Sequence, residues 1–188
     1  MGGVVRILGL DLSLTGTGAA LLDTERGTLR VTTIKTGTRR GHDRMNLIIG
    51  TMRTLSPGVD VAVIEGPSFG SKSQAERGHH SRAGLWWIVA HSLWVQGIEY
   101  VVLPPANRAM YATGNGGAKK EIVLRDARDR WGNLCHFAND NEADAAILAL
   151  ALADHLGTPV GTVPATHSRA LAALDFTAAP SFGKKVTK

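Results

Sequence analysis

Apolar and polar positions along this chain switch between a period of two and a period near 3.6, and the switches mark out its elements. Residues 4–10 form a short apolar run rich in β-branched side chains, too brief for an ordinary helix, and predict a strand buried on both faces. The run ends on Asp11. Ser13, Thr15, Gly16 and Gly18 make a polar turn, residues 18–22 start a second strand, and residues 29–34 alternate well enough for a third, so the chain opens as an antiparallel meander. Residues 43–55 carry Met45, Leu47, Ile48, Met52 and Leu55 near helical spacing until Ser56-Pro57-Gly58 stops the helix. A fourth strand at 59–64 ends on Glu65, just before Gly66-Pro67. Because a helix links it to the meander, this strand can lie parallel to the first through a right-handed crossover. Asp11 and Glu65 then share the carboxyl edge of the sheet, where open α/β sheets place their sites.

A polar segment leads into a long helix predicted at 74–96. Leu85, Ile88, Val89, Ser92 and Gln96 share one face of it, and Trp87 and Trp94 point nearly the opposite way. Such a helix has two surfaces to bury. One lies on the sheet; the other meets either a second subunit, giving a homodimer, or a neighbouring helix of the same chain. Residues 99–103 read as a fifth strand ended by Pro104-Pro105. The segment 106–118 holds Gly114-Asn115-Gly116-Gly117, a loop able to approach a phosphate backbone closely. Residues 119–131 predict a helix with Ile122, Val123, Leu124 and Ala127 buried. Residues 140–155 predict another, apolar almost all round from 143 to 153 except for Asp144. After Gly157 the chain turns Pro-, Thr- and Ala-rich, with a short helix at 168–176 and a basic, disordered end. The expected organisation is one domain over 1–157 and a C-terminal extension over 158–188.

Composition narrows the functional classes. With 188 residues and 44% hydrophobic content the chain can bury a real core. No apolar run approaches a membrane span and no secretory signal opens the sequence, so a soluble, cytoplasmic protein is expected. The lone Cys135 excludes an internal disulfide and a cysteine-built zinc site. Of the net charge of +5, three charges come from Lys184, Lys185 and Lys188 in a tail without acids after Asp175, so the whole-chain charge argues only weakly for nucleic acid. Local clustering argues more strongly. Lys35, Arg39, Arg40, Arg44 and Arg53 stand against Asp43 alone, and Lys72, Arg77 and Arg82 against Glu76 alone. Each stretch reads as a solvated face or as a grip on a phosphate backbone.

Three acids stand out because their surroundings are apolar: Asp11 and Glu65 at strand ends, and Asp144 within an apolar helix. A cluster of carboxylates suits a hard divalent cation, which points to Mg2+ or Mn2+. Asp140 lies one helical turn before Asp144 and shares its face, whereas Glu142 is rotated away. Asn139, Asp140 and Glu142 are equally what a helix N-terminus attracts for capping, so Asp140 reads as a fourth ligand or as part of a cap.

The order of these features resembles the RuvC-type Holliday junction resolvases of the RNase H-like superfamily. The resemblance covers roughly residues 7–155. Its carriers are Leu8-Gly-Leu-Asp11-Leu-Ser-Leu-Thr-Gly16-Thr-Gly18, Val63-Ile-Glu65, Thr113-Gly114-Asn-Gly116-Gly-Ala118-Lys-Lys120-Glu-Ile-Val123, and Ala143-Asp144-Ala-Ala-Ile-Leu-Ala-Leu150. Small phage-encoded members look most similar, through the short chain and the Glu65-Gly-Pro-Ser-Phe69-Gly segment. The resemblance implies a five-stranded mixed sheet in the order 3-2-1-4-5 flanked by helices. It also implies a homodimer that hydrolyses four-way junctions with two Mg2+ or Mn2+ ions per site.

Carried over by position, Asp11, Glu65 and Asp144 become metal-binding carboxylates. The family's other late acid or histidine falls on Asn141, a departure that leaves Asp140 or Glu142 to take over; Asp140 is the better placed. Lys120 matches a lysine near the scissile phosphate, with Lys119 or Arg108 assisting. Phe69 lies one position from an aromatic that wedges into the crossover. Lys72, Arg77 and Arg82 would grip DNA. A catalytically silent DNA-binding or RNA-processing relative would share the fold. Kinases of the actin and sugar-kinase type also open with Asp-Leu-Ser-x-Thr-Gly-Thr, but they need a duplicated domain and a second glycine-rich phosphate loop, so no nucleotide cofactor is expected.

Overall fold

A computed structural model describes residues 5–67 and 79–176 of the chain. One mixed sheet runs through it, with its strands in the order 3-2-1-4-5 by position in the chain, as the resemblance implies. Strands β1 (Arg6–Asp11), β2 (Gly16–Asp23) and β3 (Thr28–Lys35) form the antiparallel meander. Strands β4 (Val61–Glu65) and β5 (Glu99–Leu103) extend the sheet parallel to β1. The period of two sorts side chains between two cores: Ile7 and Val63 face one, and Leu8, Leu10, Ala62 and Ile64 face the other. Asp11 and Glu65 follow the alternation of Ile7 and Val63.

The core on the Ile7 side is closed by α3 (Pro105–Thr113), α4 (Lys120–Trp131) and α5 (Asp140–His155). The opposite core lies under α1 (Gly41–Leu55) and α2 (His79–Val95). The result is three layers, helices on both faces of the sheet. Helix α5 is buried without a break from Ala143 to Ala153 because it lies directly on β1 and β2. Two strand glycines permit this approach. A Cβ on Gly9 would run into the carbonyl oxygen of Ala145, and one on Gly18 into that of Asn141.

Three elements up to the end of α5 differ from the sequence reading, and the short helix expected at 168–176 is instead a helical turn at Ala165–Ser168 followed by a 3-10 turn at Arg169–Ala173. The segment 106–118 is not all loop, since α3 fills its first part. Pro105 occupies the first helical turn, where its missing N–H costs nothing, so the second proline of Pro104-Pro105 begins a helix as well as ending a strand. Gly114 closes α3 with φ 78°, its N–H donating to the Met110 carbonyl at 2.8 Å. On α2 the buried face is centred on Val89 and Leu93, so Leu85, Ala90 and Ser92 are buried with them, whereas Ile88 falls at its margin and Gln96 beyond the helix end, both exposed. On α4 the buried set is Val123, Ala127 and Trp131, at strict four-residue spacing, and Ile122 is exposed.

Beyond α5 the chain packs on α3 through a short helix α6 (Ala165–Ser168) and a 3-10 turn (Arg169–Ala173) that buries Ala170. Asp175 then pairs its backbone with Val102, covering part of the open edge of β5. Cys135 is half-buried and free; burial pushes its thiol up to about 11, which leaves it a poor nucleophile at neutral pH.

Candidate active site

Strands β1 and β4 run in register, Leu10 beside Ile64, and one step further each ends on its acid. Helix α5 crosses the same face of the sheet and presents Asp144, only 3% exposed, from its second turn. The indole of Trp86 on α2 donates to the Glu65 carbonyl at 3.1 Å and holds that strand end in place. Three acids from distant parts of the chain therefore meet at the carboxyl edge of the parallel strands.

Inside this cluster lies a cation, Arg108 of α3. Its Nε donates to Glu65 Oε1 and its Nη1 to Asp144 Oδ1, so one buried guanidinium bridges two of the three carboxylates. Burial pushes the guanidinium pKa down, but Glu65 and Asp144 more than offset this and hold it up. Among the described residues no cation pairs with Asp11, on which Arg108 acts only through its charge. Burial, together with the charges of Glu65 and Asp144 and a hydrogen bond to Glu65, pushes its carboxyl up to about 8. Asp144 is pushed up to about 6, chiefly by burial, with Arg108 pulling the other way.

At the mouth of the cluster, Lys120 Nζ donates to Asp140 Oδ2 at 2.8 Å. This bond holds the Asp140 carboxyl below its usual range and the Lys120 ammonium above its own; Asp144 and Asp11 add to the latter, so Lys120 lies within the field of two acids of the cluster as well as of Asp140. The start of α5 is capped. Asn139 accepts from the Glu142 N–H at 3.1 Å. The Glu142 carboxylate turns back to accept from the Ala138 N–H at 2.8 Å and from the Thr33 hydroxyl at 3.2 Å. Asn141 lies against β2 beside Gly16 and Gly18.

No family model matches the chain, and no curated protein does. Solved structures match well. T. thermophilus RuvC in complex with Holliday junction substrate superposes with a TM-score of 0.62 at 16% identity, over 85% of this chain and 99% of that one. The chain has the RuvC-type fold. A second Thermus thermophilus RuvC structure gives a TM-score of 0.58 at 17% identity, over 85% of this chain and 100% of that chain. Fowlpox virus resolvase in complex with its substrate Holliday junction DNA gives 0.52 at 15% identity, over 81% and 99%.

On this RuvC-type fold Asp11, Glu65 and Asp144 come together, and Asp140 sits one turn before Asp144 with its carboxylate on Lys120. Arg108, which the resemblance made a helper at the phosphate, is instead built into the carboxylate cluster; once 105–113 is read as helix, the position is legible, since α3 starts at the edge where β5 ends. Lys119 is exposed beside Lys120, and Arg82 is exposed in the first turn of α2. Phe69, Lys72 and Arg77 lie outside the described residues. The loop after β3 belongs to the same edge, because Lys35 pairs with Gly16 just past Asp11. Among the described residues no acid pairs with Lys35, Arg39, Arg40 or Arg44.

Among the described residues no three His, Cys, Asp or Glu side chains are disposed to hold a metal ion, and the Arg108 guanidinium stands between Glu65 and Asp144. The chemistry of the donors nevertheless fits a hard divalent cation. All are carboxylate oxygens, and they come from two strand ends and one helix to a single sheet edge.

Proposed function

We propose that this chain is a metal-dependent endonuclease that cleaves four-way junctions, and related branched DNA, by phosphodiester hydrolysis. The observation that carries the reading is the meeting of Asp11, Glu65 and Asp144 at one sheet edge, with Lys120 beside them. The presence of Holliday junction DNA in the RuvC and fowlpox resolvase structures of like fold supports the substrate class. Asp11 and Glu65 would hold divalent ions from the sheet and Asp144 from α5, with Asp140 as the fourth acid once it releases Lys120. Mg2+ or Mn2+ ions held there would lower the pKa of a water and stabilise the leaving 3′-oxygen.

The other residues act on DNA. Lys120 and Lys119, at the start of α4, would take the charge of the phosphate at the cut. Lys35, Arg39, Arg40 and Arg44, at the same edge, would hold one arm of the junction through its backbone; Arg82, and by the resemblance Lys72, Arg77 and the Phe69 wedge, would add further contacts to DNA. The exposed face of α2 carries Trp87, Ile88, His91, Trp94 and Val95; we assign it to a two-fold homodimer, which sets two sites against the symmetric arms of a junction.

The guanidinium between Glu65 and Asp144 favours one other reading, a catalytically silent DNA-binding relative. Incubation with labelled four-way, forked and linear duplex DNA in Mg2+, Mn2+ or chelator separates the two. The nuclease reading predicts metal-dependent cuts in the junction, leaving 5′-phosphate and 3′-hydroxyl ends, and little cutting of the linear duplex. Binding without cutting in either metal would support the silent one.

A further inference from the structure

We infer that Arg108 is the internal counter-ion of the carboxylate cluster, and that its bridge from Glu65 to Asp144 and a divalent ion on the same two carboxylates exclude each other. The inference rests on the metal-dependent reading above and adds a role for a residue of this chain.

Three observations lead to it. The two contacts of the guanidinium come from different nitrogens of its fork and go to acids on different elements, β4 and α5, so the residue ties a strand to a helix. The group is almost wholly buried, which a guanidinium tolerates only with partners of opposite charge. Its backbone is fixed independently: Arg108 donates its N–H to Pro104 O at 3.0 Å, and α3 is stopped at Gly114. The side chain can therefore swing away while the helix stays in place.

The consequence is a competition. Without any cation, Asp11, Glu65 and Asp144 would repel one another in a dry site, so the metal-free fold needs positive charge there, and Arg108 supplies it. An incoming ion must break two charge-assisted hydrogen bonds before it gains its ligands. Arg108 is thus a positioning residue: it ties Glu65 to Asp144, and it weakens ion binding because it occupies the same two carboxylates.

The test is Mn2+ binding to the full chain without DNA, read from the free-ion electron paramagnetic resonance signal, for wild type, Arg108→Gln, Arg108→Lys and, as a control for the site, Asp11→Asn. Arg108→Gln is expected to bind Mn2+ at least ~10-fold tighter than wild type. Millimolar guanidinium chloride should weaken binding to Arg108→Gln and leave wild type nearly unchanged. Arg108→Lys, which keeps the charge but lacks the fork, should fall between the two, and it decides the matter if Arg108→Gln does not fold. Equal or weaker Mn2+ binding by the folded variants overturns the inference while leaving the nuclease reading intact. Loss of folding in both variants that millimolar Mn2+ does not restore makes Arg108 a tie no ion can replace and also overturns it. Absence of Mn2+ binding in every protein overturns the inference and the metal-dependent reading together.

Discussion

Asp11 and Asp144 are acids held where water is scarce, and their protons report that cost. An ordinary Asp titrates near 3.8, whereas burial and neighbouring acids raise Asp11 to about 8 and burial raises Asp144 to about 6. The folded state therefore keeps these protons when the unfolded chain has lost them. The stability this contributes is complete below the ordinary Asp value and is lost as pH rises through about 6 and then about 8. In chelator the melting temperature should fall across that window, and Asp11→Asn should flatten much of the fall. A melting temperature that is level or rises between those limits contradicts the assignment. The three acids were legible in the sequence because charge at the end or in the middle of an apolar element is costly and stands out. Arg108 was not, because its neighbours Ala106 and Asn107 carry no apolar pattern and the two prolines before it read as a stop.

At the scale of elements, the site depends on how closely α5 lies on the sheet. Gly18→Ala places a methyl against the Asn141 carbonyl, so α5 must lift or slide. We expect a loss of about 1–3 kcal/mol in urea denaturation and a larger relative loss of junction cleavage, since Asp144 moves with the helix. Asn139→Ala, which removes the cap of α5, should cost about 1 kcal/mol and leave cleavage nearly unchanged in the protein that remains folded. Unchanged stability of Gly18→Ala would show that the contact is slack. The strands were readable as short β-branched runs bounded by turn residues, and α5 as an apolar run too long for a strand. The buried face of α2 was misplaced at Ile88 because apolar side chains surround that helix, so periodicity alone does not say which side meets the sheet.

For the whole molecule, the parallel run of β4 beside β1 followed from the helical crossover, and the full strand order from the resemblance to the RuvC-type resolvases. What covers α2 was not deducible in this way. Trp87 is 65% and Trp94 40% exposed, joined by Ile88 and Val95, an apolar patch of the kind that the proposed two-fold partner would bury. Replacing Trp87 and Trp94 together with Glu should convert a dimer to a monomer in sedimentation velocity and turn paired cuts at a junction into single nicks. A wild-type chain that sediments as a monomer at micromolar concentration would remove the dimer from the account. Among the described residues no helix is long and apolar enough to cross a membrane.

The central claim is that Asp11, Glu65 and Asp144 act together on a phosphodiester, and the most direct measurement is strand cleavage of a labelled four-way junction by wild type and Asp11→Asn in Mn2+ and in chelator, alongside junction binding. The account predicts chelator-sensitive cuts by wild type, at least ~10²-fold slower cutting by Asp11→Asn, and binding by both. Cutting by Asp11→Asn at the wild-type rate would contradict it.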